Sequence, residues 1–573
     1  MRTSLFVSFC KALVCVCSLS ICAVGSANST SDLRGFEVYL PKSYKGAVTG
    51  RILLMISRTN SPEVRFQVGW YNSPPVFGVD VSELRAGEAT VLSDEVHGYP
   101  VRSLRELPAG DYYVQALLNV YTKFHRADGR TVWAHMDQWE GQNFSTSPGN
   151  LYSVAKLVHL EPSQSFRIRL DLSETIPPVT VPPDTEWVKR IKIQSRILSE
   201  FWGRPIFLGA TVLLPRGYAS HSEVRYPTIY LQGHFSLAAP FGFTTDAPSE
   251  TAEQRELRER RNIETGYQFY QTWSSEEFPR MIAVTFQHPT PYYDDSYAVN
   301  SANNGPYGDA IMNELIPYIE GYFRIIRRPY ARVLAGGSTG GWISLALELY
   351  HPEFFGGAWA FCPDPVDFRR YMLVNIYEDE NAFVSNLSSA PDWLRQDWGT
   401  IERLFERTDE GQSVVTVRQA GELEAVLASR GRSGGVLDNW EAVYGPVADD
   451  GYPADLWDAE SGRVNRSVAE YMRDQGYDLR HYAEKNWSKI GPSLASKLHI
   501  YCGDMDNFFL NLSVYLLEEF FRSKDPGYQN AFVYGRPLKG HGWQPMTSAA
   551  LVREMAAHVT KNGAEGAPSW LYD

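Results

Sequence analysis

Cysteine is scarce in this chain and unevenly placed. Four of the six cysteines among 573 residues fall within the first 22 positions, and only Cys362 and Cys502 follow them. Secreted domains that depend on disulfides carry cysteines throughout the fold. The sequence therefore excludes a disulfide framework. We expect Cys362 and Cys502 to be buried free thiols, although they can pair if the fold brings them together.

Clustered positive charge is also missing. The formal net charge is −13, and the one arginine-rich run, EQRELRERRNIE at residues 253–264, interleaves acidic and basic residues at helical spacing. Nucleic-acid binding depends on clustered Lys and Arg that neutralise phosphates. We therefore expect no nucleic-acid partner, and we interpret residues 253–264 as the solvated face of a helix.

The apolar run near the N-terminus is too short to span a bilayer. It covers residues 12–24, which is 13 residues, whereas a membrane-spanning helix needs about 20. Basic residues precede the run and small residues follow it, which is the pattern of a secretory signal peptide. We predict a signal peptide at residues 1–27, cut after Gly25 or Ala27. We therefore expect a secreted protein, extracellular or periplasmic, with no stable membrane anchor after cleavage.

Short runs of alternating apolar and polar residues, such as GFEVYL and RILLMIS, fill residues 32–175. Clusters of Pro, Gly, Asn and Ser separate these runs, which is typical of antiparallel strands. We predict an N-terminal β-sandwich of immunoglobulin-like type over residues 32–175. The stretch IPPVTVPPD that follows predicts a stiff, proline-rich linker over residues 176–186.

The pattern changes after the linker. Runs such as FLGATVLLP, ARVLAGG and KLHIYCG are apolar almost throughout, as strands buried on both faces must be, and helix-like segments alternate with them. This alternation predicts an α/β domain with a mainly parallel sheet over residues 187–573. A long polar stretch at about 364–496 lacks the rhythm of the strands, and we interpret it as a helical insertion.

One serine has the setting of a nucleophile. The segment RVLAGGSTGGW places Ser338 in a Gly-x-Ser-x-Gly motif between a strand-like run and a helix-like run. This order is that of a nucleophile elbow, a strained turn in which Gly336 and Gly340 let the strand and the helix approach closely. A helix that begins there presents backbone N–H groups to a developing oxyanion. We predict Ser338 as the nucleophile.

A serine nucleophile needs a base and an acid that orients the base, and in this arrangement they follow it in the order acid, histidine. His541 stands between two glycines in LKGHGW, just after a strand-like run. In CGDMDNFF, Asp506 and Asp504 compete for the acid role, and we favour Asp506 because it lies further into the loop. Asp364 is a more distant candidate, because some hydrolases place the acid one strand earlier.

Several of these motifs together resemble a known family. FLGATVLLPRGYASHSEVRYPTIYLQGHF, ELIPYIEGYFR, GGSTGGWISLALELYHPEFFGGAWAFCPDP and GHGW, in this order, are similar to the putative esterase (esterase D-like) family of α/β-hydrolases, which includes feruloyl and enterochelin esterases. The resemblance covers about residues 203–363 and 497–559. It implies an α/β-hydrolase fold, ester hydrolysis, and a catalytic triad of Ser338, Asp506 and His541.

The same resemblance implies an oxyanion hole made of two backbone N–H groups. One is that of Thr339, which follows the nucleophile. The other comes from the loop LQGHF, where His234 is our prediction and Phe235 is the alternative. This loop departs from the family, which has His-Gly where this chain has Gln-Gly followed by His234.

We therefore expect a secreted serine esterase that acts on a small-molecule or carbohydrate-linked ester through an acyl-enzyme, with no metal and no organic cofactor. An acyltransferase that passes the acyl group to a sugar hydroxyl remains an alternative, as does a peptidase with the same triad. A further alternative is a catalytically inert protein that binds carbohydrate or another protein. Residues 289–310, rich in Tyr, Asn and Asp, either line the site or form a self-contained surface loop.

Overall fold

The computed structural model describes residues 34–161, 163–260, 263–385 and 400–563. The predicted signal peptide at residues 1–27 lies outside these ranges, so its existence and its cleavage stay predictions. Among the helices of the described residues, none is both long enough and apolar enough to cross a membrane.

Two β-sheets build the N-terminal part of the chain. Their strands and one separate hairpin are β1 (Arg34–Tyr39), β2 (Ala47–Ser57), β3 (Val76–Arg85), β4 (Ala89–Ser93), β5 (Gly98–Tyr99), β6 (Gly110–Val120), β7 (Thr122–His125), β8 (Thr131–Ala134), β9 (Leu151–Tyr152), β10 (Lys156–Leu160), β11 (Phe166–Asp171) and β12 (Glu174–Thr175). The smaller sheet has the order β11-β1-β4, with β11 parallel and β4 antiparallel to β1. The larger sheet has the order β12-β9-β6-β2-β3-β5, and β10 also pairs with β6.

The two sheets share one apolar core. Phe36 and Leu92 from the smaller sheet belong to the same buried cluster as Ile52 and Val114 from the larger one. Residues 176–185 after the last strand form neither helix nor strand. The strand-rich N-terminal region is therefore present, whereas its immunoglobulin-like type and the domain boundaries stay predictions.

The remainder of the chain alternates strands and helices. Its strands are β13 (Val188–Ser195), β14 (Ile206–Leu213), β15 (Thr228–Gln232), β16 (Ile282–Gln287), β17 (Asn300–Ser301), β18 (Gly305–Pro306), β19 (Arg332–Gly337), β20 (Gly357–Phe361), β21 (Val384–Ser385), β22 (Ile401–Glu402), β23 (Leu404–Arg407), β24 (Ser413–Thr416), β25 (Leu498–Gly503) and β26 (Phe532–Gly535). Its α-helices are α1 (Arg196–Trp202), α2 (Ala252–Arg260), α3 (Gly266–Trp273), α4 (Tyr307–Ala310), α5 (Ile316–Tyr322), α6 (Thr339–Tyr350), α7 (Val417–Leu427), α8 (Val436–Tyr444), α9 (Arg466–Asp474), α10 (Leu479–Ile490), α11 (Leu510–Lys524) and α12 (Ser548–Asn562).

One eight-stranded sheet organises this part, in the order β13-β14-β16-β15-β19-β20-β25-β26. Strand β14 runs antiparallel to both of its neighbours, and every pair from β16 to β26 is parallel. The mainly parallel sheet predicted for this region is confirmed, and with its flanking helices it has the architecture of an α/β-hydrolase fold.

Both faces of the sheet are buried at its central strands β16, β19 and β20, which explains why these strands are largely apolar. Leu334 of β19 packs on one face, in the cluster that contains Trp342 of α6. Its neighbours Val333 and Ala335 pack on the other face, in the cluster that contains Met555 of α12. Side chains alternate between the faces of a strand, so each face needs its own apolar set.

The predicted insertion lies between β20 and β25 and contains helices α7 to α10. Its described residues also contain two small two-stranded sheets, β21–β22 and β23–β24, which the sequence analysis did not anticipate because strands of two to four residues show too little alternation. Helix α7 packs Leu423 and Val426 against Leu53, Met55 and Leu117 of the larger N-terminal sheet. The insertion thus joins the N-terminal region to the eight-stranded sheet, called the hydrolase-like sheet below.

Candidate active site

Ser338 lies at the sharp turn between β19 and α6. Its backbone has φ 55° and ψ −123°, a conformation that non-glycine residues rarely adopt. Its N–H donates to the carbonyl of Phe361 on the neighbouring strand at 2.8 Å, which holds the turn in place. Strain of this kind is typical of a nucleophile elbow, whose sharp turn exposes the serine hydroxyl at the end of the strand.

The glycines around Ser338 are required by close backbone contacts. A Cβ on Gly340 would lie 2.1 Å from the carbonyl oxygen of Gln232 and 2.9 Å from the nitrogen of Gly233. A Cβ on Gly336 would lie 2.4 Å from the carbonyl oxygen of Gly340. The loop after β15 therefore passes directly against the elbow, which is where a backbone donor of an oxyanion hole has to be.

His541 is held by Asp506. Nδ1 of His541 lies 2.8 Å from Oδ2 of Asp506, which is fully buried. The other oxygen of Asp506 accepts the backbone N–H groups of Phe508, at 3.0 Å, and Leu510, at 3.2 Å. Asp504 instead accepts the backbone N–H of Lys539 at 3.1 Å. Of the two competing carboxylates, the structure thus brings Asp506 to the imidazole, while Asp504 anchors the loop that carries it.

The environment of His541 favours its protonated form. Burial lowers the pKa of His541, but the hydrogen bond and the negative charge of Asp506 outweigh burial and raise this pKa to about 9. The backbone N–H of His541 donates to Oδ1 of Asn507 at 2.6 Å, and the ring of Phe508 packs edge-on to the imidazole, with centroids 5.0 Å apart. The imidazole of His541 is therefore held by the hydrogen bond to Asp506 and by the contact with the ring of Phe508.

Hairpin β23–β24 of the insertion holds the loop that carries Asp506. The N–H of Arg407 donates to the carbonyl of Asn507 at 2.9 Å, and the side-chain amide of Asn507 donates to the carbonyl of Arg407 at 2.8 Å. The guanidinium of Arg407 also donates to the carbonyl of Asp506 at 3.1 Å. The insertion thus supports the acid and the histidine.

A cavity of about 250 Å³ opens over Ser338 and His541. Its polar lining residues are His234, Tyr293, Ser338, Thr339, Asp364 and His541. Its apolar lining residues are Trp70, Met372, Phe405, Val436, Trp440, Phe508 and Leu510. An apolar pocket with a few convergent polar groups is the usual form of a small-molecule site.

Ser338 and His541 share this cavity, but in the described part of the chain no hydrogen bond joins them. The Ser338 hydroxyl donates instead to Oδ1 of Asp364 at 3.2 Å. Burial raises the pKa of Asp364, and hydrogen bonds from Tyr297 and Thr339 oppose that shift. Asp364, considered above as an alternative acid for the histidine, thus contacts the serine rather than His541.

His234 forms part of the cavity wall and is paired with two carboxylates. Its Nδ1 lies 3.2 Å from Asp294 and 3.4 Å from Asp295. Burial lowers the pKa of His234, but the hydrogen bonds to both carboxylates raise it to about 11, so the ring is an imidazolium at neutral pH. These three side chains have the chemistry of metal ligands, with their ligand atoms within 4.8 Å of one another, but a cation there would have to displace the proton of His234.

Residues 289–310 contribute to the site. Tyr293 lines the cavity, and the hydroxyl of Tyr297 donates to Oδ2 of Asp364. Both side chains are buried. Of the two alternatives for this segment, the structure favours a wall of the site over a surface loop.

The N-terminal region also reaches the site, which the sequence analysis missed. Trp70 lines the cavity and packs edge-on against Phe405 of β23, with centroids 4.6 Å apart. Beside it, the hydroxyl of Tyr71 is hydrogen-bonded to the carboxylate of Glu406. No local pattern identifies Trp70, because its partner lies more than 300 residues further along the chain.

Comparisons with known proteins give one family match over part of the chain and several distantly similar structures. Residues 207–442 match the model of a family described as "Putative esterase". No curated protein matches the chain. Among solved structures, a ferulic acid esterase is 17% identical, with a TM-score of 0.33 over 65% of this chain and 98% of that one. An S-formylglutathione hydrolase from Agrobacterium tumefaciens is 12% identical, with a TM-score of 0.31 over 66% and 96%. FphF, a fluorophosphonate-binding serine hydrolase from Staphylococcus aureus, is 13% identical, with a TM-score of 0.29 over 65% and 98%.

Proposed function

We propose that this chain is a carboxylic ester hydrolase of the putative esterase family that uses Ser338 as its nucleophile, His541 as its general base and Asp506 as the acid that orients the base. The backbone N–H groups of Thr339 and His234 form the oxyanion hole. The substrate is a small-molecule or carbohydrate-linked ester, and the chain is exported through its N-terminal segment.

The first half of the reaction forms an acyl-enzyme. His541 takes the proton of Ser338 as Oγ attacks the ester carbonyl, and Asp506 stabilises the imidazolium that results. Thr339 is the first residue of α6, where a backbone N–H has no acceptor within the helix, so this group is free to bind the oxyanion. The intermediate collapses when His541 gives its proton to the leaving alcohol.

The second half repeats the chemistry with water. His541 removes a proton from water, which attacks the acyl-enzyme, and then returns the proton to Oγ of Ser338 as the acid product leaves. Ser338 has to turn from Asp364 towards His541 before the first step. This rotation moves the hydroxyl within the cavity that both side chains line.

The 2.8 Å contact between Nδ1 of His541 and Asp506 is the observation that carries this proposal. It leaves Nε2 as the remaining ring nitrogen for Ser338, and both side chains line one cavity. A neutral imidazole with its proton fixed on Nδ1 can only accept through Nε2. The carboxylate therefore selects the tautomer that a general base needs.

Labelling with a fluorophosphonate tests the proposal. The reagent should add covalently to Ser338 in the folded chain, as peptide mass spectrometry would show, and Ser338→Ala should abolish labelling. Ser467→Ala is the matched control, because Ser467 is exposed on α9, far along the chain from the elbow, and its removal should change nothing. A folded protein that stays unlabelled at Ser338 would favour the inert binding protein instead.

Two finer parts of the proposal have their own tests. Product analysis with and without a sugar acceptor separates hydrolysis from acyl transfer: free acid as the main product in both cases supports the hydrolase.

N-terminal sequencing of the exported protein should find a chain that begins directly after Gly25 or Ala27. An exported chain that still carries residues 1–24 would contradict a cleaved signal peptide.

A further inference from the structure

Asp364 is a buried carboxylate on the floor of the cavity with hydroxyl donors on both of its oxygens. Oδ2 accepts the hydroxyls of Tyr297 and, at 3.0 Å, Thr339. Oδ1 accepts the hydroxyl of Ser338 at 3.2 Å. Only 4% of Asp364 is exposed, and that part faces the cavity. The mechanism proposed above gives this residue no role.

The two oxygens differ in how firmly their partners are held. On the Oδ2 side, the hydroxyl of Tyr297 itself accepts a hydrogen bond from Nε1 of Trp440 at 2.6 Å, so its position is fixed. On the Oδ1 side, the side-chain donor is the nucleophile. When Ser338 turns to His541, Oδ1 loses that donor inside a buried site. An unpaired carboxylate oxygen there carries a large desolvation penalty, so a new donor is favoured.

The geometry of the attack shows which part of the substrate can supply this donor. In the tetrahedral intermediate the oxyanion points to the N–H groups of the oxyanion hole, and the leaving oxygen points to His541, which protonates it. Oγ of Ser338 is the third substituent. The acyl chain is the fourth, and its first carbon is the atom that Asp364, a neighbour of Oγ, can reach through a short substituent.

We propose that Asp364 binds a hydrogen-bond donor on the carbon next to the scissile carbonyl, so that the preferred substrates are esters of 2-hydroxy or 2-amino acids. This inference rests on the proposed function and adds to it the class of acyl group. A hydroxyl or an ammonium at this position replaces the Ser338 hydroxyl on Oδ1. It also offsets the negative charge of Asp364 beside the developing oxyanion.

Three methyl esters of similar size test the inference on the full chain, with the release of methanol as the measure of hydrolysis. Methyl lactate carries the donor, methyl 2-methoxypropionate has an oxygen without a donor, and methyl alaninate has an ammonium or amine. We expect kcat/KM for lactate or alaninate to exceed that for the methoxy ester at least about tenfold, as one charge-assisted hydrogen bond allows. Whichever of methyl lactate and methyl alaninate has the higher kcat/KM identifies the preferred donor as a hydroxyl or an ammonium.

Asp364→Ala should bring this ratio close to one while methyl propionate, which has no donor, is still hydrolysed. Tyr297→Phe is the matched control: it removes a donor from the other oxygen and should keep the ratio, whatever it does to the rate. A structural role for Asp364 would lower all rates together and leave the ratio unchanged. Equal kcat/KM for the donor and methoxy esters in the unaltered chain would overturn the inference.

The two proposals can fail separately. If fluorophosphonate labels Ser338 and methyl propionate is hydrolysed, but no preference for a donor is found, only the role of Asp364 is wrong. If Ser338 is not labelled and no ester is hydrolysed, the proposed function itself fails.

Discussion

Nδ1 of His541 and Oδ2 of Asp506 lie 2.8 Å apart, and the carboxylate has no exposed surface. Burial lowers the pKa of the imidazole, but this contact raises it to about 9. Only the neutral imidazole can act as a base, so at neutral pH most of the enzyme carries the inactive, protonated form. The contact that orients the base therefore also sets the pH at which it works.

From this pKa we predict that kcat/KM rises with pH up to about 9 and then levels off. A stable alkyl ester, followed by titration between pH 6 and 10, measures the profile without interference from spontaneous hydrolysis. A profile that is flat across this range would contradict a base with the pKa of His541.

Asp506→Asn should lower activity and shift the profile together. Burial lowers the pKa of His541, and without the carboxylate the largest contributions that raise this pKa are lost, so the rising limb should move to lower pH. The plateau should fall by about 10⁴-fold, the size of effect seen when a triad carboxylate is replaced by its amide. Asp504→Asn is the matched control, since Asp504 bonds Lys539 rather than the imidazole, and it should keep the position of the profile.

Trp70→Ala should change substrate preference more than turnover. Trp70 contributes an aromatic wall of the cavity and packs on Phe405. Esters large enough to reach this wall should show a KM raised about tenfold, since aromatic contact and buried area together contribute about 1.4 kcal/mol. Methyl acetate should show little change in kcat.

Phe66→Ala provides the control for this experiment. Phe66 belongs to the same N-terminal region, is 45% exposed, and is not among the residues that line the cavity. Its replacement should leave KM unchanged for every ester. If both variants behave alike, the N-terminal region acts through stability and not through the pocket.

Gly340→Ala should damage the site through a backbone clash. The new Cβ would lie 2.1 Å from the carbonyl oxygen of Gln232, so the loop that carries His234 has to move. We expect kcat/KM to fall by at least about 100-fold, because small displacements at a reacting centre cost that much, and stability to fall by about 1–3 kcal/mol.

Gly421→Ala is the matched substitution for that test. Gly421 lies inside α7 and a Cβ there would meet no atom within 4 Å. Alanine should stabilise the helix by up to about 1 kcal/mol and leave activity unchanged. Denaturant unfolding and kcat/KM should be measured for both variants. Equal changes in stability and activity for Gly340→Ala and Gly421→Ala would contradict a specific backbone clash at Gly340.

Local sequence patterns predicted much of the hydrolase-like sheet. Val333, Leu334 and Ala335 alternate between two buried faces, and a strand with both faces buried has to be apolar at every position. The elbow was predictable for a similar reason, since its glycines and the strained backbone of Ser338 are local properties.

Contacts between distant segments were not predictable from such patterns. The choice between Asp506 and Asp504 depends on the fold of one loop around Lys539, because both carboxylates follow the same strand. The contact of Trp70 with Phe405 depends on how the N-terminal sheets pack on the insertion. The hydrogen bond from Ser338 to Asp364 depends on a side-chain rotamer, about which a sequence contains no direct information.

The most direct test of the central claim is kcat/KM for an aryl acetate with Ser338→Ala. We predict a fall of at least about 10⁴-fold, with the free energy of unfolding unchanged or higher, because alanine removes only the hydroxyl from the strained turn. Ser467→Ala, measured in parallel, should match the unaltered chain. A folded Ser338→Ala protein that still hydrolyses the ester within about tenfold of the unaltered chain would show that Ser338 is not the nucleophile.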